Sequence, residues 1–233
     1  MKETRKNGLI LTTILVAFCL ALLPSCSKKE APEKKETGKQ AEEAKEKVIG
    51  VSLLVQTHDF YKDLQAGLEE AAETHGFKLL ILSGEMDVNK QIMQVQNFIT
   101  QKVDAIIVCP ADTNTIGSAV MEANKAGVPV FTADIRSASG DIVSHIASDN
   151  VMGGREAGMY MAKLFEGQEG VQVGIIDNPE ASSVQERVKG FLDEIGKHPN
   201  MEVVVNLNGH GLRDAAMKVA MDMLQGNPDL DAV

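Results

Sequence analysis

The chain has 233 residues, 44% of them hydrophobic, enough for one large domain or two small ones with real cores. Its formal net charge is −10, and from Val48 onward 13 Lys+Arg stand against 26 Asp+Glu, leaving that part at −13. A surface so acidic repels phosphate backbones, which excludes nucleic acid as a partner. Three cysteines, Cys19, Cys26 and Cys109, cannot make a disulfide framework when only the last falls in the globular part.

Residues 1–25 predict an export signal. Lys2, Arg5 and Lys6 form a cationic start, and an apolar run from Leu9 to Leu23 follows, broken only by Thr12 and Thr13. That run is shorter than the roughly 20 residues a spanning helix needs. It ends in Leu23-Pro24-Ser25-Cys26, which resembles the bacterial lipobox, with Pro24 a mild departure. The resemblance implies that the Cys26 thiol takes a diacylglycerol and becomes the new N-terminus. The chain would then be periplasmic or at the cell surface, with the membrane as a partner through its lipid. The alternative is an uncleaved signal anchor with an incidental cysteine. Residues 26–47 predict a solvated tether: from Ser27 to Lys47 there are seven Lys, six Glu and no large apolar side chain to bury.

After the tether, strand-like apolar runs are expected at 48–55, 78–83, 105–109, 130–133, 143–148, 171–176 and 201–207. Helical stripes lie between them. Phe60, Leu64, Leu68 and Ala71 share a face, as do Ile92, Val95 and Ile99. Val184, Val188, Phe191 and Ile195 form a third stripe, and Leu212, Ala216, Val219 and Met223 a fourth. Asp59 and Asp87 suit N-caps, and Gly76 and Gly127 suit positions just past helix ends. Strands alternating with helices predict an α/β fold with parallel sheets, whose ligands bind beyond the carboxyl ends of the strands.

The turn after the first strand, Gln56-Thr57-His58-Asp59-Phe60-Tyr61, holds no glycine, and neither GxGxxG nor GxxxxGK[ST] occurs. HExxH, GxSxG and paired-Cys spacings are missing too, so no cofactor and no metal is expected. With no visible nucleophile–base pair, the chain is not expected to be an enzyme. Cys109 fits a small buried apolar residue.

Several stretches together resemble the type I periplasmic sugar-binding proteins of the ribose-binding kind. They are the run 143–154 (VSHIASDNVMGG), Phe60-Tyr61 with Leu64, Gly67, Ala71 and Ala72, the run 129–134 (PVFTAD), and Arg187-Val188-Lys189-Gly190-Phe191. The resemblance covers residues 48–233 and implies two Rossmann-like lobes joined by crossovers and closing on a ligand. The N-terminal lobe would span 48–148 and the C-terminal lobe 149–233, the latter incomplete because the chain is C-terminally truncated. Phe60 and Tyr61 stand where aromatic rings stack on the sugar, with Phe60 as helix-start core the alternative. Asp134 stands where a carboxylate accepts sugar hydroxyls, and Arg187 where a guanidinium donates from the second lobe. Ser148, Asp149 and Asn150 match hinge positions. His58, Cys109, Ile135 and Gly211 depart from the family: the first two replace Asn, the third an Arg, and Gly211 falls where an aromatic would sit. His58 would donate to a sugar hydroxyl or cap the following helix. His145 and His210 read as structural or exposed.

The resemblance thus implies a monomeric solute-binding lipoprotein that captures a monosaccharide, a pentose or related sugar, for an ABC permease and its ATPase. A sensor passing the same signal to a chemoreceptor or sensor kinase is the alternative. A lac-repressor-like regulator shares the fold, but the lipobox and the lack of a helix-turn-helix oppose it.

Overall fold

A computed structural model describes residues 46–233; the expected export signal, the Cys26 anchor and nearly all of the tether lie outside the described residues. The first lobe runs β1 (Lys47–Leu53), α1 (Asp59–His75), β2 (Phe77–Ser83), α2 (Val88–Gln101), β3 (Ala105–Val108), α3 (Gly117–Lys125), β4 (Val130–Ala133) and β5 (Ser144–Ile146). The second runs α4 (Asn150–Leu164), β6 (Val171–Asp177), α5 (Ser182–Ile195), β7 (Met201–Asn208) and α6 (Arg213–Gly226). The first sheet has the order β2-β1-β3-β4-β5 and the second pairs β6 with β7, every pairing being parallel. Ala232 adds a bridge to Val173 at the other edge of β6.

Central strand β1 shows why both faces of the first sheet are covered. Val51 and Leu53 point into one apolar cluster, with Leu64 and Leu68 of α1 packed against it. Ser52 points the other way and donates to Gln94 of α2 at 2.7 Å. Gly50 shares that face, and a Cβ there would lie 2.5 Å from the ring of Phe98. Phe98, fully buried, anchors the second cluster with Val95, Ile106, Val108, Val120 and Val130.

Three local expectations shift. Asp59 is the first helical residue of α1 rather than its cap. The cap is His58, whose Nδ1 accepts the Phe60 N–H at 3.2 Å. Asp59 instead pairs with Lys62 at 2.8 Å, at the helix end that favours negative charge. The buried stripe of α1 is correspondingly rotated: Tyr61 and Ala72 are buried with Leu64 and Leu68 beside them, while Phe60 and Ala71 face outward. Asp87 does cap α2, accepting from Asn89 at 2.8 Å. Gly76 and Gly127 take the left-handed conformation past α1 and α3. Strand β5 covers only the middle of its expected run, pairing with β4 over Ser144–Ile146.

In the second lobe α4 and α5 meet backbone to backbone. A Cβ on Gly154 would lie 1.8 Å from the Arg187 carbonyl oxygen, and one on Gly190 would lie 2.0 Å from that of Val151. These two glycines set how far Arg187 of α5 stands from the start of α4. Gly190→Ala is therefore expected to destabilise the fold by about 1–3 kcal/mol, read as a fall of several degrees in Tm. Gly153→Ala, where an added Cβ meets nothing within 4 Å, should leave Tm unchanged or slightly higher. Equal losses in both variants would show that the helix contact is not the cause.

Candidate functional site

The carboxyl ends of β1, β2 and β4 face those of β6 and β7 across a cleft of about 420 Å³. Its first-lobe wall holds Leu54, Val55, His58, Phe60, Tyr61, Met86, Asp134 and Ile135, and Ser148 and Asn150 stand at the crossover. The second-lobe wall holds Asn178, Ala181, Ser183, Val184, Arg187 and Gly211. The volume is within the range of small-molecule sites, roughly 300–1,000 Å³.

Asp134 follows β4 directly. Its N–H continues the parallel ladder to the Ile146 carbonyl at 2.9 Å, while its left-handed backbone at φ 63 lets the Ile135 N–H donate back to the Ala133 carbonyl at 2.8 Å, a tight turn centred on Asp134 at the cleft wall. Tyr61, 5% exposed, donates its hydroxyl to Asp134 Oδ2 at 2.6 Å. Burial, and after it the Asp134 charge, push the Tyr61 phenol well above its usual pKa, so it stays a donor at any physiological pH. Phe60 is 46% exposed and meets Tyr61 edge to face, with centroids 5.1 Å apart. It is not helix-start core; its ring is available to an apolar ligand face. With Nδ1 of His58 accepting the helix N–H, Nε2 is the ring nitrogen left to donate.

On the opposite side Arg187 Nη1 donates to Asn150 Oδ1 at 2.6 Å, and Asn150 Nδ2 donates to the Ser148 carbonyl at 3.1 Å. Asn150 is buried. The crossover residues thus have distinct tasks: Asp149 caps α4 by accepting the Met152 N–H at 2.9 Å, whereas Ser148 and Asn150 line the cleft and orient the guanidinium. One carboxylate and one guanidinium, each held by a neutral partner, give a site of zero net charge with unused donors and acceptors.

Of the residues singled out from sequence, His58, Phe60, Tyr61, Asp134 and Arg187 all come together here. Cys109 and Ile135 are buried beneath and beside the cleft. His145 is half-buried, its Nδ1 2.8 Å from Thr132 Oγ1, with its pKa lowered first by burial and then by Arg136. His210 is exposed. Asn178, Ser183 and Met86 were not anticipated. Asn178 directly follows β6 and Ser183 lies at the start of α5, where the strand-end rule points. Met86 carries no such signal. It sits in a left-handed backbone at φ 61, with its methyl 3.5 Å from where a Gly211 side chain would begin. No His, Cys, Asp and Glu cluster able to hold a metal occurs among the described residues.

Comparison with known proteins gives a consistent picture. The profile described as periplasmic binding protein domain matches residues 49–233. The ribose import binding protein RbsB of Bacillus subtilis is 33% identical over 222 residues, covering 95% of this chain and 71% of the relative. Its Escherichia coli counterpart is 32% identical over 186 residues, and the chain spans 62% of that relative's length while 78% of the chain is matched. Among solved structures, the Caulobacter myo-inositol binding protein bound to myo-inositol superposes with a TM-score of 0.72 at 30% identity, covering 78% of this chain and 62% of that one. An Agrobacterium radiobacter solute binding protein in complex with D-arabinose gives 0.73 at 30% identity, covering 80% and 65%.

The thiol of Cys109 offers a test of how dry the cleft floor is. Burial, and next the Asp134 charge, push its pKa up to about 12. At pH 8 on the order of one thiol in ten thousand would then be ionised. Peptide mapping after iodoacetamide treatment should show Cys109 unmodified in the native chain and modified in denaturant. Rapid native alkylation would mean that water reaches this floor.

Proposed function

The chain belongs to the periplasmic binding protein domain family, and we propose from that premise that it captures a monosaccharide, a pentose or related sugar, outside the cytoplasm and presents it to an ABC permease and its ATPase. The observation that carries this reading is the cleft itself. It offers an exposed aromatic ring, a carboxylate and a guanidinium on opposed walls, and no net charge. A neutral, hydroxyl-rich ring with an apolar C–H face fits those three features together. Phe60 would stack on the ring. The free oxygen of Asp134 would accept hydroxyl protons, and Arg187 and His58 would donate, the charged bonds contributing about 1.5–3 kcal/mol each. Micromolar binding needs about −8 kcal/mol net, within reach of such a set after ordering costs.

The relatives that the chain matches are themselves named as binding proteins, for ribose import and in complex with myo-inositol or D-arabinose. That supports a role in binding without chemistry. The lipid anchor rests on Leu23-Pro24-Ser25-Cys26 and on the charged stretch after it.

Thermal denaturation of the full-length chain against pentoses, hexoses and polyols tests the reading. A cognate sugar at about a hundred times its Kd should add about 2.7 kcal/mol of stability, and Asp134→Ala should abolish that gain. No shift with any sugar would overturn the sugar reading, and a retained response in Asp134→Ala would remove that carboxylate from the site. For the anchor, Cys26→Ser in the native host should lose both palmitate incorporation and membrane retention. Unchanged labelling would place the lipid elsewhere or nowhere.

A further inference from the structure

Helix α5 begins without a cap of its own. Its N-cap position is Ala181, which has no side-chain oxygen to offer. The first-turn amide finds its acceptor on the other lobe instead: the Ser182 N–H donates to Thr113 Oγ1 at 2.9 Å, in a buried bond. Two more bonds cross the same seam. The Thr113 N–H donates to the Glu180 carbonyl at 2.9 Å, and Ser182 Oγ accepts the Arg136 N–H at 2.7 Å. Thr113 and Ser182 are both buried. Thr113 lies on the loop after β3 and Arg136 on the loop after β4, whereas Glu180 and Ser182 lie at the start of α5. Thr113 is braced within its own lobe, its carbonyl accepting the Ala138 N–H at 2.8 Å. Beside this seam Ala181 and Val184 join the apolar cluster of the first lobe.

We propose that Thr113 is a positioning residue of the cleft, supplying from the first lobe the cap that α5 lacks. The inference rests on the proposed capture of a sugar in this cleft, and on the closing of two lobes that the family resemblance implies. Thr113 is not among the residues that line the cleft, so it acts through α5, whose first turns carry Ser183, Val184 and Arg187. A serine or threonine hydroxyl accepting a first-turn N–H is the ordinary chemistry of a helix cap. Here donor and acceptor belong to different lobes, so the cap exists only while the lobes meet. Parting them uncaps the helix that holds the guanidinium; joining them sets the helix in place. The cap therefore biases the chain towards the closed arrangement and slows release of whatever the cleft holds, without contacting it.

Thr113→Val keeps the shape and the backbone N–H but removes the acceptor, and Thr113→Ser keeps the hydroxyl. Both are measured in the full-length chain. The first readout is hydrogen exchange at the Ser182 amide, with the Ile106 amide inside the first sheet as reference. The second is stopped-flow binding of D-ribose, D-arabinose, D-allose and myo-inositol. With the acceptor gone, the Ser182 amide is expected to exchange about tenfold faster and a bound sugar to leave about tenfold faster, the scale of one lost cap. Association and Ile106 exchange should hold constant, and Thr113→Ser should return both readouts to the wild-type values. Unchanged exchange and release in Thr113→Val overturns the proposal, as does a Thr113→Ser variant that behaves like the valine. So does a slower association with unaltered release. If none of the four sugars binds the wild-type chain, the sugar reading fails for them. The lobes already meet and the Thr113–Ser182 bond is already formed with protein groups alone, so exchange without ligand then decides the cap alone, faster in Thr113→Val supporting it and equal rates overturning it.

Discussion

At the carboxyl end of the first sheet the strands stop, yet their last carbonyls and amides remain inside the protein, where each needs a partner. The side chain of Gln91, fully buried on α2, answers two of them: Nε2 donates to the Cys109 carbonyl at 2.8 Å and Oε1 accepts the Ala111 N–H at 2.7 Å. Gly84 has no side chain because Gln91 occupies that space, within 2.7 Å of where a Cβ would stand. Gln94, one turn on, donates to the Ser83 carbonyl at 2.7 Å while accepting from Ser52. Two amides from one helix thus fix the loops after β2 and β3. The cleft wall is built on strand ends whose backbone polar groups are satisfied from below, so the side chains above them are free for a ligand. The Cys109–Thr113 segment that Gln91 pins also carries the hydroxyl that caps α5.

The two charges in the cleft are held by the same logic. Asp134 and Arg187 do not neutralise each other; Tyr61 holds the first and Asn150 the second. A direct ion pair across the cleft would have to be broken before a ligand could use either group, and a desolvated charge left without any partner costs several kcal/mol. One neutral hydrogen bond to each keeps both ionised groups oriented and leaves each with capacity to spare. The phenol must remain protonated for this to work, and the environment that raises its pKa, burial beside a carboxylate, is the one that makes it useful.

Much of this was legible in the sequence because strands and amphipathic helices leave periodic marks. All seven expected strands form, and the stripe read on α2 faces the core. On α1 the apolar period alone puts Phe60 on the core face with Leu64 and Leu68, whereas the buried ring is Tyr61 and Phe60 lies exposed at the cleft, the position that the family resemblance implies. Apolar periodicity cannot distinguish a ring buried in the core from one held out for a ligand. Helix α4 leaves no long apolar stripe, because its first turns approach α5 through Gly154 and Gly190 and side-chain packing begins only at Met161 and Ala162. Asn150 was read as hinge alone, since nothing local says that its amide reaches Arg187, 37 residues away. The Thr113–Ser182 bond spans 69 residues and joins the loop after β3 to the first residue of α5. Only the folded chain brings such pairs together.

Among the described residues the seam between the lobes is small, which suits the opening and closing proposed for the cleft. Among the described residues it joins the apolar contact of Ala181 and Val184 to a few hydrogen bonds, each worth about 0.5–1.5 kcal/mol net because water competes for the same groups once the lobes part. A ligand can shift such an equilibrium only by as much as it prefers one state over the other. A large apolar seam would hold the lobes shut whether or not the cleft was filled, whereas lobes with no contact would leave the ligand to supply the whole cost of closing. A short set of polar bonds around one apolar contact lies between these limits, where, on the proposed reading, one ligand with contacts on both walls would tip the balance.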